Sequence, residues 1–387
     1  MHDLLLGAIT EDIASASGLA GRLHGAGLEV AVVFEARSLI ECEVSRFDAL
    51  VLVADTAGAP IDDAIALSVE AADGLRACGA QRLFLHDRSA FAGTPPAKLS
   101  ALAEALADLL EVPAAPLALA APSIGQALFK GHAFIGDTPL AIADGEANLA
   151  RALAQSARSR PARIDHAHVR AGPAALHVAA QEAMADNRSL LVCDASTDED
   201  MATIARVWRD APLLIGSGDL AAQLGHALAR TKASAPRIPQ SVTVHARRLA
   251  HVGGQASASS SDAVVSLAAA RDRAAIATCL SAYLPAGDGD LLHVLLDEPA
   301  LAQTGAQVPA KADTPDKQRS QTAANAIDLL FQHGFDRLII EGETAIAGSR
   351  RLFAHAVGEV IVGDEAGRCW LRLHGGPLDG ALVAVEV

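Results

Sequence analysis

The sequence predicts an α/β protein of two domains, each a mostly parallel or mixed sheet flanked by helices, with a ligand cleft between them. Three observations carry that prediction. Short apolar runs alternate with longer helical patterns, the rhythm of parallel strands joined by helices. A length of 387 residues exceeds what one hydrophobic core usually serves. Near the middle, a stretch of small residues punctuated by Pro236, Pro239 and the pair Gly253-Gly254 interrupts the rhythm.

In the first half, strands are expected at 4–9, 30–34, 49–54, 82–86, 190–194 and 213–216. Helices are expected near 14–26, 60–78, 98–110, 145–158, 173–187 and 198–209, with another after Gly218. Asp198, Glu199 and Asp200 acidify the start of the sixth of these, as helix N-termini favour. The domain boundary falls near 232–240, giving an N-terminal domain of 1–235 and a C-terminal domain of 236–387. A strand-like stretch at 241–244 follows. The second half reads helix 262–284, strand 291–296, helix 319–333, strand 337–341 and helix 344–355. Strands at 359–362, 369–373 and 381–385 then leave little room for helices, which predicts an antiparallel or mixed edge. The polar stretch 303–320, with Pro309 and Pro315, reads as an exposed loop.

Composition narrows the function. Hydrophobic residues at 51% and charged residues at 20% supply two full cores. Aromatics at 3% leave few platforms for stacking bases, and a net charge of −15 repels a phosphate backbone. Nucleic acid is therefore not an expected partner. Five widely spaced cysteines, Cys42, Cys78, Cys193, Cys279 and Cys369, form no C-x-x-C pair and read as reduced thiols rather than disulfides or a zinc site. Neither a secretory signal nor an apolar run of about 18 residues is visible. The expectation is a cytoplasmic protein without a membrane segment. The alanine-rich surface admits a homodimer.

Several segments carry candidate chemistry. The first strand ends at Thr10-Glu11-Asp12, where doubly wound sheets place ligands. Asp12 either accepts a proton from a substrate hydroxyl or only caps the helix. In Phe129-Lys130-Gly131-His132-Ala133-Phe134-Ile135-Gly136-Asp137, a cation, an imidazole and a carboxylate accompany two glycines within eight positions. Lys130 is one of only five lysines in the chain. With His132 it is suited to a carboxylate, and Asp137 to orienting a hydroxyl; the alternative is a glycine-rich hairpin with a solvated lysine. Arg170, before a helix start, is either an anion clamp or an exposed arginine. The turn Gly216-Ser217-Gly218-Asp219 either offers backbone donors or serves close packing. Glu341-Gly342-Glu343-Thr344 is strand, tight turn and helix, suited to a phosphate, or Thr344 is a plain N-cap. His374-Gly375-Gly376-Pro377 is a second glycine turn after a strand. No P-loop, dinucleotide fingerprint or metal-ligand spacing occurs, so a dehydrogenase is disfavoured and no metal ligands are assigned.

These segments, in this order, resemble the four-carbon acid sugar kinase family, once called a domain of unknown function and including 3-oxo-tetronate and threonate kinases. Gly131-His132-Ala133-Phe134-Ile135-Gly136-Asp137 is similar to the family's Gly-His-x-Phe-Val-Gly-Asp. The run from Leu83 to Pro95 resembles a strand and loop that normally begins with lysine and carries Ser-Thr-Phe-Asp-Ser-Thr. Val192-Cys193-Asp194-Ala195 and Ile215-Gly216-Ser217-Gly218-Asp219-Leu220 fit the family's order. Glu341-Gly342-Glu343-Thr344 resembles its Gly-Gly-Glu/Asp-Thr nucleotide turn. His374-Gly375-Gly376 stands where a Lys-Ser-Gly turn usually lies, and 253–261 where a Gly-Ser-Cys-Ser turn is expected.

The resemblance implies an acid-binding N-terminal domain, an ATP-binding C-terminal domain, and phosphoryl transfer from ATP with Mg2+ to a hydroxyl of a small four-carbon acid. It places Asp12, Ser89, Thr94, Lys130, Gly131, His132 and Asp137 toward the acid. Ser257, Gly342, Glu343, Thr344 and Gly375 fall toward the nucleotide. The chain also departs from the pattern. Asp-Asp-Leu-Thr-Gly-Ala reads Glu11-Asp12-Ile13-Ala14-Ser15-Ala16, a later aspartate is Gly18, and His86, Ala92 and His374 replace a lysine, an aspartate and a lysine. Two readings follow: a kinase of a small hydroxy acid with Asp12 as base, or a diverged non-catalytic paralogue that binds the acid or the nucleotide.

Overall fold

The computed structural model describes residues 4–88, 91, 96–142, 146–231, 249–253, 263–267, 272–280, 291–295, 317–335, 337–341, 343–361 and 369–386. The chain divides into two compact units, Met1–Pro239 and Gln240–Val387.

The first unit begins β1 (Leu6–Thr10), α1 (Ile13–Gly25), β2 (Val30–Val33), β3 (Ala49–Val53), α2 (Ile61–Ala77), β4 (Leu83–His86), α3 (Pro96–Leu109) and β5 (Ala115–Ala118). It continues with β6 (Gln126–Phe129), β7 (His132–Ile135), β8 (Thr138–Leu140), α4 (Leu149–Ala154), β9 (Ala162–Ile164), α5 (His166–Arg170) and α6 (Pro173–Ala185). Then come β10 (Leu190–Cys193), α7 (Asp198–Val207), β11 (Leu213–Gly216) and α8 (Gly218–Ala229). Eight strands form one sheet in the order β2-β3-β1-β4-β11-β5-β10-β9, with every neighbouring pair parallel. Apart from Thr10, His86 and the exposed Arg163 of β9, their residues are apolar on both faces, and β1, β2, β3, β4, β5, β10 and β11 are buried throughout, as expected for a sheet covered by helices on each side. From β1 the chain goes to β2 and β3 on one side, then crosses to β4 on the other. That reversal opens a crevice outside the carboxyl ends of β1 and β4, where open α/β sheets bind ligands.

Local chemistry sets the helix starts. Asp12 Oδ1 accepts from Ser15 N at 2.6 Å to cap α1, and Asn148 caps α4. Thr197 and Asp200 form a reciprocal capping box at α7. β6, β7 and β8 form a separate antiparallel sheet. The β6–β7 turn is the pair Lys130-Gly131, with φ of 52° and 77°, a left-handed conformation matched to tight hairpins.

In the second unit the strands are β12 (Leu249–Gly253), β13 (Ala263–Ser266), β14 (Leu291–Leu295), β15 (Arg337–Glu341), β16 (Val357–Ile361), β17 (Trp370–His374) and β18 (Leu382–Glu386). The helices among the described residues are α9 (Arg273–Leu280), α10 (Lys317–Gln332) and α11 (Glu343–Ser349). Strand order is β13-β14-β12-β15-β18-β17-β16. The pairings from β13 to β18 are parallel, and β17 runs antiparallel to β18 and β16. The antiparallel pairing expected from the crowded C-terminal strands is therefore present. Ile339, Ile361, Trp370 and Ala384 pack together there.

Several expected elements differ. The helix read over 262–284 is strand β13 followed by α9, because Ala263-Val264-Val265-Ser266 pairs with β14 and that pairing overrides an alanine-rich helical pattern. The loop expected over 303–320 gives way to α10 from Lys317, and the helix near 145–158 is only Leu149–Ala154. Strands β5, β9 and β12 escaped the sequence pattern: β9 has only three residues, and β5 contains Pro116, which ordinarily argues against a strand interior. The stretch at 241–244 lies outside the described residues.

Candidate functional site

A cleft of about 420 Å³ lies in the first unit at the carboxyl ends of β1, β4, β5 and β11. One face of α1 lines it with Ser15, Gly18, Leu19 and Arg22, a spacing of three, four and seven that places them on one side of a helix. His86 ends β4, Arg88 follows it, and Ser217, Gly218 and Asp219 form the start of α8. Two helix N-termini, those of α1 and α8, therefore meet the carboxyl ends of the strands, which favours an anion.

Asp219 organises one wall. Its Oδ1 accepts from Arg22 Nη1 at 2.6 Å and from Ser123 Oγ at 2.7 Å, while Oδ2 accepts from Ser123 N at 2.8 Å. The arginine passes close over Gly218, where an added Cβ would meet Arg22 Cδ at 2.8 Å. Gly216 is equally confined, its Cβ position lying 2.5 Å from Ala118 O. The turn 216–219 thus serves close packing and also supplies the cleft with a paired carboxylate.

The strand ends concentrate charge. Glu11 has its pKa raised, by burial first and then by Asp12 and Asp87, against the opposing Arg88 and Lys98. Lys98 Nζ donates to Thr56 O. A small cavity of about 20 Å³ next to these groups is lined by Glu11, Thr56, Ser68, His86, Asp87 and Lys98 among others. Burial pushes the His86 imidazole down to about 4, assisted by the Arg88 and Arg22 cations and resisted by Asp12. At neutral pH His86 is an uncharged group that can donate or accept.

The run 129–137 does not form one pocket. Lys130 and Gly131 make the β6–β7 turn, and Asp137 sits exposed in the β7–β8 turn at the other end of β7. A four-residue strand, about 13 Å long, separates them. Asp137 therefore does not meet Lys130 and His132 as the sequence suggested, since an antiparallel strand holds its two ends apart. At the first turn Gly131 N donates to Asp194 Oδ1 at 2.7 Å, and Asn148 Nδ2 donates to Lys130 O at 3.2 Å. Lys130 Nζ lies 5.6 Å from the Phe129 ring centre, and His132 Nδ1 is 3.1 Å from Lys130 O. Asp194 is fully buried; burial raises its pKa while the Gly131 and His166 amides lower it. His166 Nε2 lies 3.3 Å from both Asp200 Oδ2 and Ser196 Oγ, and exposed Arg170 places Nε 3.6 Å from Asp200 Oδ1.

In the second unit α11 starts at Glu343, two residues beyond the end of β15, so the expected strand and helix are present. Thr344 lies inside that helix and is not its N-cap. Gly375, at φ 80°, follows β17, and its amide donates to Asp379 Oδ1 at 2.7 Å within the turn. Glu341 Oε2 lies 2.6 Å from His251 Nε2. Ser89, Thr94, Ser257 and Gly342 lie outside the described residues, as do the side chains of Glu343 and Thr344.

Arg22 and Arg88 were missed by sequence reasoning. The face shared by Ser15, Gly18, Leu19 and Arg22 was a signal available for the first; none marked Arg88. Among the described residues, no group of three or more His, Cys, Asp or Glu converges to hold a metal ion, and no helix is long and apolar enough to cross a membrane.

Residues 6–224 match the family model described as the sugar-binding N-terminal domain. A 3-oxo-tetronate kinase from Methylobacterium radiotolerans is 31% identical over 240 residues, which cover 58% of this chain and 55% of that protein. A 3-oxo-tetronate kinase from Brucella melitensis is 26% identical over 419 residues, covering 99% of this chain and 92% of that protein. Against most of the curated relatives reported, the chain spans only about half of their length. A crystal structure of a Haemophilus influenzae protein of the family model DUF1537 superposes with a TM-score of 0.76 at 19% identity, over 98% of this chain and 95% of that one. At that identity the likeness shows the fold alone.

Proposed function

Because the chain belongs to the sugar-binding N-terminal domain family, as a divergent member of the four-carbon acid sugar kinases, we propose that it transfers the γ-phosphoryl group of ATP to a hydroxyl of a small sugar acid of the tetronate class. The observation that carries the reading is the unit 1 cleft. It opens at the carboxyl ends of β1 and β4, presents Arg22 and Arg88, and receives two helix N-termini. Such a wall suits a carboxylate.

In this reading Asp12 is the general base. Capping α1 uses its Oδ1 and holds the side chain at the strand end, where a substrate hydroxyl would lie. Arg88 takes the acid's carboxylate. Ser89, Thr94, Lys130, Gly131, His132, Asp137 and Arg170 are carried as further candidates from the sequence. The second unit takes the nucleotide where α11 follows β15 and at Gly375, and Ser257, Gly342, Glu343 and Thr344 are carried as candidates from the sequence. Transfer of this kind depends on in-line positioning and neutralisation of charge. Magnesium bound with the nucleotide would supply neutralisation of phosphate charge, and the protein would need to offer it only one or two carboxylates. Such an enzyme would work in the cytoplasm.

A second reading has support in particular residues. Ala14, Ser15 and His86 remove a hydroxyl, a glycine and a cation from the family pattern, and a paralogue that binds without transferring would tolerate those losses. Thermal shift with ATP-Mg and a panel of four-carbon acids, together with ADP release, separates the two. A ligand at 100 times its Kd stabilises by about 2.7 kcal/mol. The kinase reading expects stabilisation by both ligand types and ADP release with at least one acid. Asp12→Asn should abolish ADP release while acid binding persists; unchanged turnover would remove Asp12 as the base. Stabilisation by ATP without turnover of any acid would favour the paralogue.

A further inference from the structure

Two polar atoms in the wall of the unit 1 cleft are buried and have no hydrogen-bond partner: Ser15 Oγ and His86 Nδ1. The two residues are 5% and 7% exposed, and both line the cleft from different elements, Ser15 from α1 and His86 from the end of β4. Unpaired buried groups of this kind are costly and uncommon. Two in one cleft point to a ligand that satisfies them after a small rotation of either side chain. The neighbouring polar groups are already engaged: Asp219 accepts from Arg22 and from Ser123, and Ser217 Oγ donates to Ala120 O.

We propose that Ser15 and His86 are specificity-determining residues that bind an uncharged oxygen of the ligand, a hydroxyl or a carbonyl, while Arg88 takes its carboxylate. The proposal rests on the sugar-acid reading above and adds which part of the acid is discriminated. A hydroxyl and a neutral imidazole each donate or accept, so together they match an alcohol, which does both. They do not match a second carboxylate, because neither offers the charge that would offset its loss of water. Burial and the Arg88 cation keep His86 neutral. Both residues stand where the chain departs from the family pattern, Ser15 for a glycine and His86 for a lysine. The exchange replaces a cation by a pair of neutral groups.

The test uses the intact protein and two probes of equal chain length, threonate and succinate, with affinities from isothermal titration calorimetry. Wild type should bind threonate at least about 10-fold more tightly than succinate. Ser15→Ala and His86→Gln should each weaken threonate about 5- to 10-fold, the effect of one hydrogen bond, and leave succinate unchanged. Equal loss for both probes would overturn the proposal. Because either variant could fold poorly, side-chain 15N NMR of the wild-type histidines supplies a second measurement. The His86 ring nitrogens should shift on saturation with threonate and stay in place with succinate. If threonate binds with His86 unmoved, this proposal alone falls. If neither acid binds, the sugar-acid reading falls with it.

Discussion

Acid should destabilise the first unit through His86, and the size of the effect follows from where that side chain lies. The imidazole is 7% exposed and its pKa is lowered from 6.5 to about 4 by burial and by Arg88 and Arg22. As pH falls through 6.5 the unfolded chain takes up this proton and the folded chain does not, so stability is lost from there downward. Above pH 6.5 both states are neutral and the group has no effect. At 1.36 kcal/mol per pH unit, the full penalty, reached below pH 4, is about 3 kcal/mol, and about 2 kcal/mol is present at pH 5. Glu11 has a raised pKa and acts in the opposite direction, because the folded state protonates it first; a comparison with His86→Gln cancels that contribution. The chain has two tryptophans, Trp208 in the first unit and Trp370 in the second. In a Trp370→Phe background, urea unfolding followed by tryptophan emission therefore reports the first unit alone. Between pH 7.5 and 5.0, protein carrying His86 should lose about 2 kcal/mol more than the His86→Gln form. If the two lose stability in parallel, within about 0.5 kcal/mol, His86 titrates normally and the desolvated wall assigned to the cleft is wrong.

Gly216→Ala places a Cβ 2.5 Å from Ala118 O and from Leu220 Cδ2, and should cost about 1–3 kcal/mol in urea midpoint analysis; a loss near zero would mean that β11 and α8 shift freely. Thr197→Ala removes half of the capping box on α7 and should cost about 1 kcal/mol, measured the same way. Asp219→Asn keeps the side-chain shape but takes the charge from a carboxylate held by Arg22 and Ser123, so a loss of about 2 kcal/mol is expected. It should also weaken binding of anionic ligands to the cleft little or not at all, because the freed Arg22 adds positive charge; a strong loss of threonate affinity would show that Asp219 itself touches the acid.

Much of the architecture was written locally. Buried parallel strands such as Ala49–Val53 and Leu213–Gly216 are apolar on both faces, and the caps Asp12, Thr197 and Ser217 mark helix starts within a few residues. These signals depend only on near neighbours along the chain, so the α/β class and the antiparallel C-terminal strands were legible. The sequence also pointed to the turn after the first strand, and a cleft lined by Ser15 of α1 and His86 of β4 lies next to it.

Strand order was not legible, because a strand that is apolar on both faces carries no mark of which neighbour it will join. Only tertiary packing seats β11 between β4 and β5, which sets Asp219 against Arg22 although 197 residues separate them. The same limit misled the reading of 129–137, where charged groups close in sequence are held apart by a strand that hydrogen-bonds on both sides. By itself the amino-acid order determined most of the strands and helices and the α/β class they build. The tertiary structure decided which side chains share the cleft at the strand ends, because long-range pairing is selected by the total burial it achieves rather than by any residue's neighbours in the chain.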